Sequence, residues 1–290
     1  MALIEIVYLF YWLITGKEVI IVTFGSYGDL MMANGVLNYY AVSQQKRLRV
    51  VYKKKELLAD SNCLQKCLTQ SKSYYLAIWL SAYAKQFIIL NYGTLQDQPE
   101  QHLMQRMANK LQMVLPTDFV PYINLNDQPL FQLNLPINKP IVVIQSTANP
   151  AFSPNKQWDM NKMIAVVESV KKKAFTIQIG PDTDIPLPVD ASYLGKTTFK
   201  QSISIIKQSN LFVGLEGALM HGAAAVSTPS VIVFGGYIHH HQSGYHTTHA
   251  VQSAIECAPC LLTTPCPINL QCMRGIEADA VIYKIDACIN

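Results

Sequence analysis

An α/β fold built from parallel sheets in two domains is predicted by three features of the chain. Short β-rich runs alternate with longer helical stretches, the alternation stops once in a proline-rich segment, and it then resumes. A length of 290 residues gives each of two domains enough chain to bury a core. Half of the residues are hydrophobic and only 14% are charged, so intrinsic disorder is excluded and the surface must be made in part from Gln, Asn, Ser, Thr and Tyr. A net charge of +4 with no dense basic face argues against a nucleic-acid binder.

Ala2 to Ile14 is the first apolar run. Glu5 interrupts it, no basic residue precedes it, and it falls short of the roughly 18 residues that span a bilayer, so it is neither a spanning helix nor an export signal. A buried helix or strand is one reading, and a segment lying in a membrane interface with Tyr8, Tyr11 and Trp12 as anchors is the other. Val19 to Thr23 reads as a buried strand, Phe24 to Gly28 as the turn that releases it, and Asp29 to about Gln44 as a helix. Leu48 to Tyr52 is a second strand, and Lys53 to Lys55 its solvated end. A helix from about Cys63 to Ala84 follows, on which Cys63 and Cys67 stand at i, i+4 as packing residues. Phe87 to Leu90 is a strand and about Glu100 to Val114 a helix. From Pro116 to Pro140 five prolines fall among Asn and Gln with no sustained period, which marks a linker. A boundary at Pro136 gives domains 1–136 and 137–290.

The second series begins with a strand at Ile141 to Ile144, a helix at Asp159 to Lys172 ending in the Lys171 to Lys173 run, and a strand at Phe175 to Ile179. A helix at Thr198 to Gln208, a strand at Leu211 to Val213, a helix at Ala218 to Val226 and a strand at Ser230 to Phe234 complete it. Two such domains are expected to face a cleft, with ligands beyond the carboxyl ends of the strands.

Three segments could carry chemistry. In Gly25-Ser26-Tyr27-Gly28-Asp29, glycines allow a sharp turn into a helix amino terminus, and Asp29 is either a helix-end charge or a general base. In Glu216-Gly217-Ala218, followed by His221, a strand ends and a helix of small residues begins at once, so backbone N–H groups point at an anion above the sheet. The bland reading there is a tight core helix with a packed histidine. After Ile144, Ser146 and Thr147 with Lys156 offer hydroxyls and a point charge to phosphate oxygens, while Trp158 seals a helix against the sheet.

These segments, in this order, resemble glycosyltransferase family 9, whose best-known members are the lipopolysaccharide heptosyltransferases. The similarity is strongest from Ile141 onward: the Ser/Thr strand end, Lys156-Gln157-Trp158, Gly180 to Asp184, Gly195 to Thr198, the Glu216 to His221 segment and Val231 to Gly235. The resemblance implies a GT-B fold, with an acceptor-binding first domain and a nucleotide-sugar-binding second one. It makes Asp29 the base that deprotonates the acceptor, and it puts Thr147, Lys156, Glu216, Gly217, Ala218 and His221 on the donor. Asp182 or Asp184 would stand near the donor ribose. Glu216 and Gly217 depart from the family's commoner Asp and hydroxyl residue, which removes one side-chain contact to phosphate.

Five of the seven cysteines lie in the last 34 residues, and Cys257, Cys260, Cys266 and Cys272 are spaced as a candidate tetrahedral set. A structural metal, disulfides or redox-variable thiols, and unligated packing are the three readings; Cys288 is a packing residue. The metal would be zinc, or iron, since iron-binding fingers occur in parts of the resembled family. The five histidines among residues 239–249 read as a solvated loop or a metal site.

The expected activity, implied by the resemblance, is inverting transfer of a heptose-like sugar from an ADP-heptose-like donor to a lipopolysaccharide, other glycan, lipid-linked or protein acceptor, with no cofactor for the chemistry. The expected location is cytoplasmic, with peripheral contact at the inner membrane face. A non-catalytic scaffold and a GT-B nucleotide-sugar epimerase are the alternatives.

Overall fold

A computed structural model of the chain describes residues 2–52, 63–94, 98–126, 131, 133 and 139–289. It divides into two units, Met1–Asn124 and Leu125–Asn290. The Lys53 to Lys55 run and the boundary expected at Pro136 lie outside the described residues.

The first unit opens with helix α1 (Ala2–Ile14), strand β1 (Val19–Val22), helix α2 (Tyr27–Ser43) and strand β2 (Leu48–Tyr52). Strand β3 (Leu64–Leu68), helix α3 (Ser71–Ser81), strand β4 (Phe87–Leu90) and helix α4 (Leu103–Lys110) follow. The sheet runs β3-β2-β1-β4, and each pairing is parallel. All four β1 residues are buried, as expected of a strand covered on both faces. Leu9 and Trp12 of α1 and Tyr74, Ala77 and Leu80 of α3 join Val19, Ile21 and Val51 in one core cluster.

One expectation fails here. The single helix from Cys63 to Ala84 is an edge strand followed by a shorter helix, and Cys67 lies in β3. Leu64 and Leu68 are both buried in β3. An i, i+4 spacing puts two residues on one face of a helix and equally on one face of a strand, so Leu64 and Leu68 could not choose between them.

The second unit carries β5 (Ile141–Ile144), a 3-10 turn at Pro154–Lys156, α5 (Met160–Lys171), β6 (Phe175–Gln178), β7 (Ala191–Ser192) and α6 (Phe199–Lys207). It continues through β8 (Leu211–Leu215), α7 (Ala218–Ala225), β9 (Ser230–Phe234), α8 (His240–Ser243), β10 (Thr248–Gln252), α9 (Gln271–Arg274) and α10 (Ala278–Ile289). Its sheet is ordered β10-β9-β8-β5-β6-β7, all parallel. Capping sets the helix starts: the Asp159 carboxylate accepts from the N–H groups of Asn161 and Lys162, and Thr198 forms a capping box with Gln201. The Trp158 indole donates to the Ile276 carbonyl at 3.1 Å and is buried among the residues that pack on α5 and α10.

Candidate functional site

Both sheets reverse direction beside their central strands. From β5 the chain adds β6 and β7 on one side and then crosses to β8 on the other. Loops leaving β5 and β8 therefore diverge and open a crevice at the carboxyl edge of the sheet, where ligands bind in open α/β sheets. Thr147 leaves β5 at this edge, and Glu216 to Ala218 leave β8. In the first unit the same reversal lies between β1, whose exit carries Ser26 to Asp29, and β4, whose exit carries Tyr92.

In the second unit the polar groups at this edge interlock. The Thr147 hydroxyl donates to Asp184 Oδ1 at 2.5 Å. Burial pushes the Asp184 carboxyl above the usual carboxylate range, and the Thr147 hydrogen bond opposes that rise. Its other oxygen, Oδ2, is buried with no hydrogen-bond partner among the described residues. Asp182, by contrast, is exposed. Of the two aspartates the sequence could not separate, Asp184 is the one at Thr147.

Lys156 ends the 3-10 turn and pairs with the Glu216 carboxylate, both side chains being about nine-tenths buried. The ammonium also lies over the rings of Phe152 and Tyr237, 4.7 and 4.4 Å from their centroids. A buried cation thus sits between one carboxylate and two ring faces, beside the amino terminus of α7. Gly217 is the N-cap of α7 and has no side-chain cap, so the first N–H groups of that helix are left for solvent or an anion. His221 Nδ1 is 2.6 Å from the Tyr245 hydroxyl and is buried. It lies within α7, packed and hydrogen-bonded.

Sequence reasoning missed the residues that hold this turn. Asn155 Nδ2 donates to the carbonyls of Leu262 and Thr264 at 3.0 and 2.7 Å, and its Oδ1 accepts from the Cys266 N–H at 3.0 Å. The Ser153 hydroxyl donates to Leu262 O at 2.9 Å. On the other side of the ammonium, the N–H of Leu261 donates to Tyr237 O and that of Cys260 to Gly236 O. The cysteine-rich segment therefore clamps both walls of the Lys156 pocket. A buried-polar pair beside Lys156, in Ser153-x-Asn155, was the signal available.

Burial pushes the Cys260 thiol up; the Leu262 N–H opposes this, and the nearby thiols of Cys272, Cys257 and Cys266 add to it. The Leu270 N–H donates to Cys266 Sγ at 3.4 Å. Neighbouring soft donors with N–H groups directed at sulfur suit thiolate chemistry. As the side chains stand, however, none of the seven cysteines is in a disulfide, and no group of three or more His, Cys, Asp or Glu among the described residues is placed to hold a metal ion. The histidine run is likewise no ligand set: it forms the helical turn α8, where His240 Nδ1 lies 3.0 Å from Gln252 Oε1 and His239 Nδ1 lies 3.2 Å from Gln252 Nε2.

In the first unit Ser26 caps α2. Its Oγ accepts the Asp29 N–H at 3.2 Å, and its O–H donates to Asp29 Oδ2 at 2.6 Å. Asp29 is half-buried in the first turn of the helix, with its carboxylate orientation fixed by that hydroxyl. Tyr92 stacks on Phe24 at 4.8 Å across the mouth of the same edge.

Comparison with known proteins shows the family and the fold. The model of glycosyltransferase family 9 (heptosyltransferase) matches residues 60–267. A stretch of 111 residues is 33% identical to lipopolysaccharide heptosyltransferase 3 of Escherichia coli, covering 34% of this chain and 32% of that relative. The chain thus aligns with about a third of the length of the curated relatives it matches. Among solved structures, the ADP-heptose LPS heptosyltransferase II of E. coli superposes with a TM-score of 0.67 at 14% identity, covering 94% of this chain and 98% of that one. The iron-containing dodecameric glycosyltransferase TibC of enterotoxigenic E. coli gives 0.69 at 16% identity, covering 94% and 78%. At these identities the likeness is one of fold, the GT-B α/β fold of the heptosyltransferase structures.

Proposed function

Because the chain belongs to glycosyltransferase family 9, the heptosyltransferase family, we propose that it transfers a heptose-like sugar, with inversion, from an ADP-heptose-like donor to a lipopolysaccharide or other glycan, lipid-linked or protein acceptor. The observation that carries this reading is the buried Lys156 ammonium held at the switch point of the second sheet, next to the uncapped start of α7. A nucleoside diphosphate offers an anion to the uncapped α7 N–H groups and a further one to Lys156 beside the Glu216 carboxylate. Asp184 Oδ2, buried and without a partner among the described residues, suits a ribose hydroxyl. A cytoplasmic location with peripheral membrane contact goes with this reading.

In the proposed reaction Asp29 accepts the proton of the acceptor hydroxyl as its oxygen attacks the anomeric carbon. The bond from that carbon to the diphosphate oxygen breaks, and its electron pair leaves with the nucleoside diphosphate. Lys156 and the α7 N–H groups stabilise the charge that develops there. Thr147, Glu216, Gly217, Ala218 and His221 complete the donor set. Asp29→Ala should lower transfer by about 10²–10⁴-fold, the usual contribution of a general base, while leaving nucleotide affinity unchanged. Turnover at the parental rate would remove the base assignment.

Cys257, Cys260, Cys266 and Cys272 are proposed as thiolates for a structural zinc or iron, supported by the nearness of the four thiols to one another and by the N–H donors on two of them. Four protein thiolates leave no open position, so such a metal would brace the fold and take no part in transfer. Metal analysis with thiol titration checks this: less than about 0.2 metal per chain with all thiols titratable would end it.

One observation favours a second reading, a non-catalytic relative: Gly217 stands where the family's phosphate-binding turn commonly has a hydroxyl residue. Thermal melting with ADP, GDP and UDP sugars separates the two. A scaffold responds to none of them.

A further inference from the structure

The outer surface of the first unit carries a feature that sugar transfer does not use. α1 and α3 lie side by side over one face of the sheet and share its core through Leu9, Trp12, Tyr74, Ala77 and Leu80. Their inward positions are thereby accounted for, and their outward positions are apolar too. On α1, Leu3, Ile4, Val7, Phe10, Tyr11 and Ile14 recur at helical spacing, each exposing 45% or more of its surface. On α3, Tyr75 and Trp79 stand on the outward face, and the ring of Tyr83 just beyond it lies tilted 4.9 Å from that of Trp79. Each helix precedes one of two adjacent parallel strands, β1 and β4, so the two helices run in the same direction and their outer faces adjoin. Two helices of this length, side by side, make a patch roughly 20 Å on a side, or about 400 Å². A patch of about that size is among the largest that monomeric proteins expose, and such patches are often functional.

Charge selects the occupant. Lys17 and Lys85 follow the carboxyl ends of the two helices, Lys72 starts the outward face of α3, and Lys66 lies over the Tyr8 ring at 4.5 Å; all four are exposed. The carboxylates nearby are already engaged. Glu5 accepts from the N–H groups of Thr69 and Gln70 at 3.2 and 3.0 Å, and Glu18 accepts from Lys46 at 2.8 Å. A second copy of the chain meeting this face with its own would bring lysines against lysines, with no free carboxylate among the described residues of the face to receive them. An anionic lipid surface offers phosphates to the lysines and acyl chains to the aliphatic stripe, and it matches the Tyr and Trp content that membrane interfaces favour.

We infer that the α1/α3 face docks flat on an anionic phospholipid bilayer, its aliphatic and aromatic side chains entering the headgroup boundary and the four lysines pairing with lipid phosphates. The inference does not depend on the transfer reaction, since docking is read on vesicles without donor or acceptor. Either can fail while the other stands.

The test is flotation of the full chain with vesicles of phosphatidylglycerol and phosphatidylcholine, and with vesicles of phosphatidylcholine alone. Binding to the first and little to the second is expected, together with quenching of Trp79 fluorescence by brominated lipid. Trp12 and Trp158 are buried, so Trp79→Phe should abolish the quenching. Phe10→Ser with Ile14→Ser should lower the bound fraction by at least about tenfold. Lys66→Glu, Lys72→Glu and Lys85→Glu together should do the same, because each lysine near an anionic surface contributes separately. The lysine variant leaves the apolar residues in place and keeps the test valid if the serine variant misfolds. No binding to anionic vesicles, equal binding to neutral ones, unquenched Trp79, or a dimer in solution that Phe10→Ser with Ile14→Ser dissociates would each overturn the inference.

Discussion

Asp184 shows what a single side chain costs and what it offers. Its carboxyl titrates above the usual range because burial penalises the charged form more than the Thr147 hydroxyl favours it. An acid with a folded pKa above its unfolded one binds more protons folded than unfolded. Stability therefore falls as pH rises from about 3.8 through the folded value, and the penalty is complete above it. Asp184→Asn keeps an oxygen for Thr147 and removes the charge. It should raise Tm by a few degrees at pH 7, with the gain shrinking as pH falls toward 3.8, and it should weaken nucleotide binding. Melting curves across that range check it; an equal gain at every pH would show that charge burial is not the cause. Gly217 invites the opposite experiment. Its backbone is extended, with φ 164°, and a Cβ placed there would meet nothing nearer than the Leu215 carbonyl at 4.0 Å. Gly217→Ser should thus fit without strain and place a hydroxyl donor at the turn, lowering the Kd for a nucleoside diphosphate by about three- to tenfold, the effect of one hydrogen bond. Unchanged affinity by calorimetry would place the phosphate away from this turn. The sequence exposed these chemical groups but not their partners. Asp182 and Asp184 differ by two positions in one loop, and only the turn that buries one and exposes the other assigns Asp184 to Thr147.

At the scale of elements, the legible ones were those with local signals. Asp159 and Thr198 announced α5 and α6 as caps, and the all-buried runs of β1, β5 and β9 could be read as strands because nothing in them was polar enough for a surface. β3 was misread because its spacing served two periods, and β10 was missed because an edge strand in a histidine-rich stretch has little alternation to show. α10 had a usable sign, Val281 and Ile285 at i, i+4, both fully buried, but it followed a cysteine cluster that drew a different reading. The clamp between the Lys156 turn and that cluster was illegible because it joins segments more than a hundred residues apart through backbone carbonyls, which leave no mark on residue type. It makes a prediction of its own. Asn155→Ala strands the Thr264 carbonyl and the Cys266 N–H and leaves the Leu262 carbonyl only the Ser153 hydroxyl, each lost bond worth about 1 kcal/mol. Nucleoside diphosphate affinity should fall about five- to tenfold although Lys156 is intact, and Tm should drop. An earlier melting transition with unaltered affinity would mean that the Lys156 turn holds its place without the clamp.

For the whole molecule, the low charge and the two α/β series were visible from composition and pattern, while the position of each ligand edge required strand order, which no local pattern encodes. Strand order assigns the two units different work. The residues proposed to bind nucleotide, from Thr147 to His221, all belong to the second unit, and the proposed base Asp29 belongs to the first. Each unit has its own sheet, and the core cluster under α1 and α3 draws only on the first. A ligand stabilises what it binds by RT ln(1 + [L]/Kd), about 2.7 kcal/mol at a hundredfold excess over Kd. ADP alone, at that excess, should therefore slow amide hydrogen exchange in β5, β8 and α7 by up to about a hundredfold, since exchange through opening of the second unit must first release the ligand. Amides of β1 and α2 should exchange as they do without nucleotide. Mass spectrometry of peptides covering residues 141–148 and 211–225 against 19–43 reads both at once. Protection spread evenly over the two groups would show that nucleotide is held by residues of the first unit as well, and the donor set assigned to the second would then be incomplete.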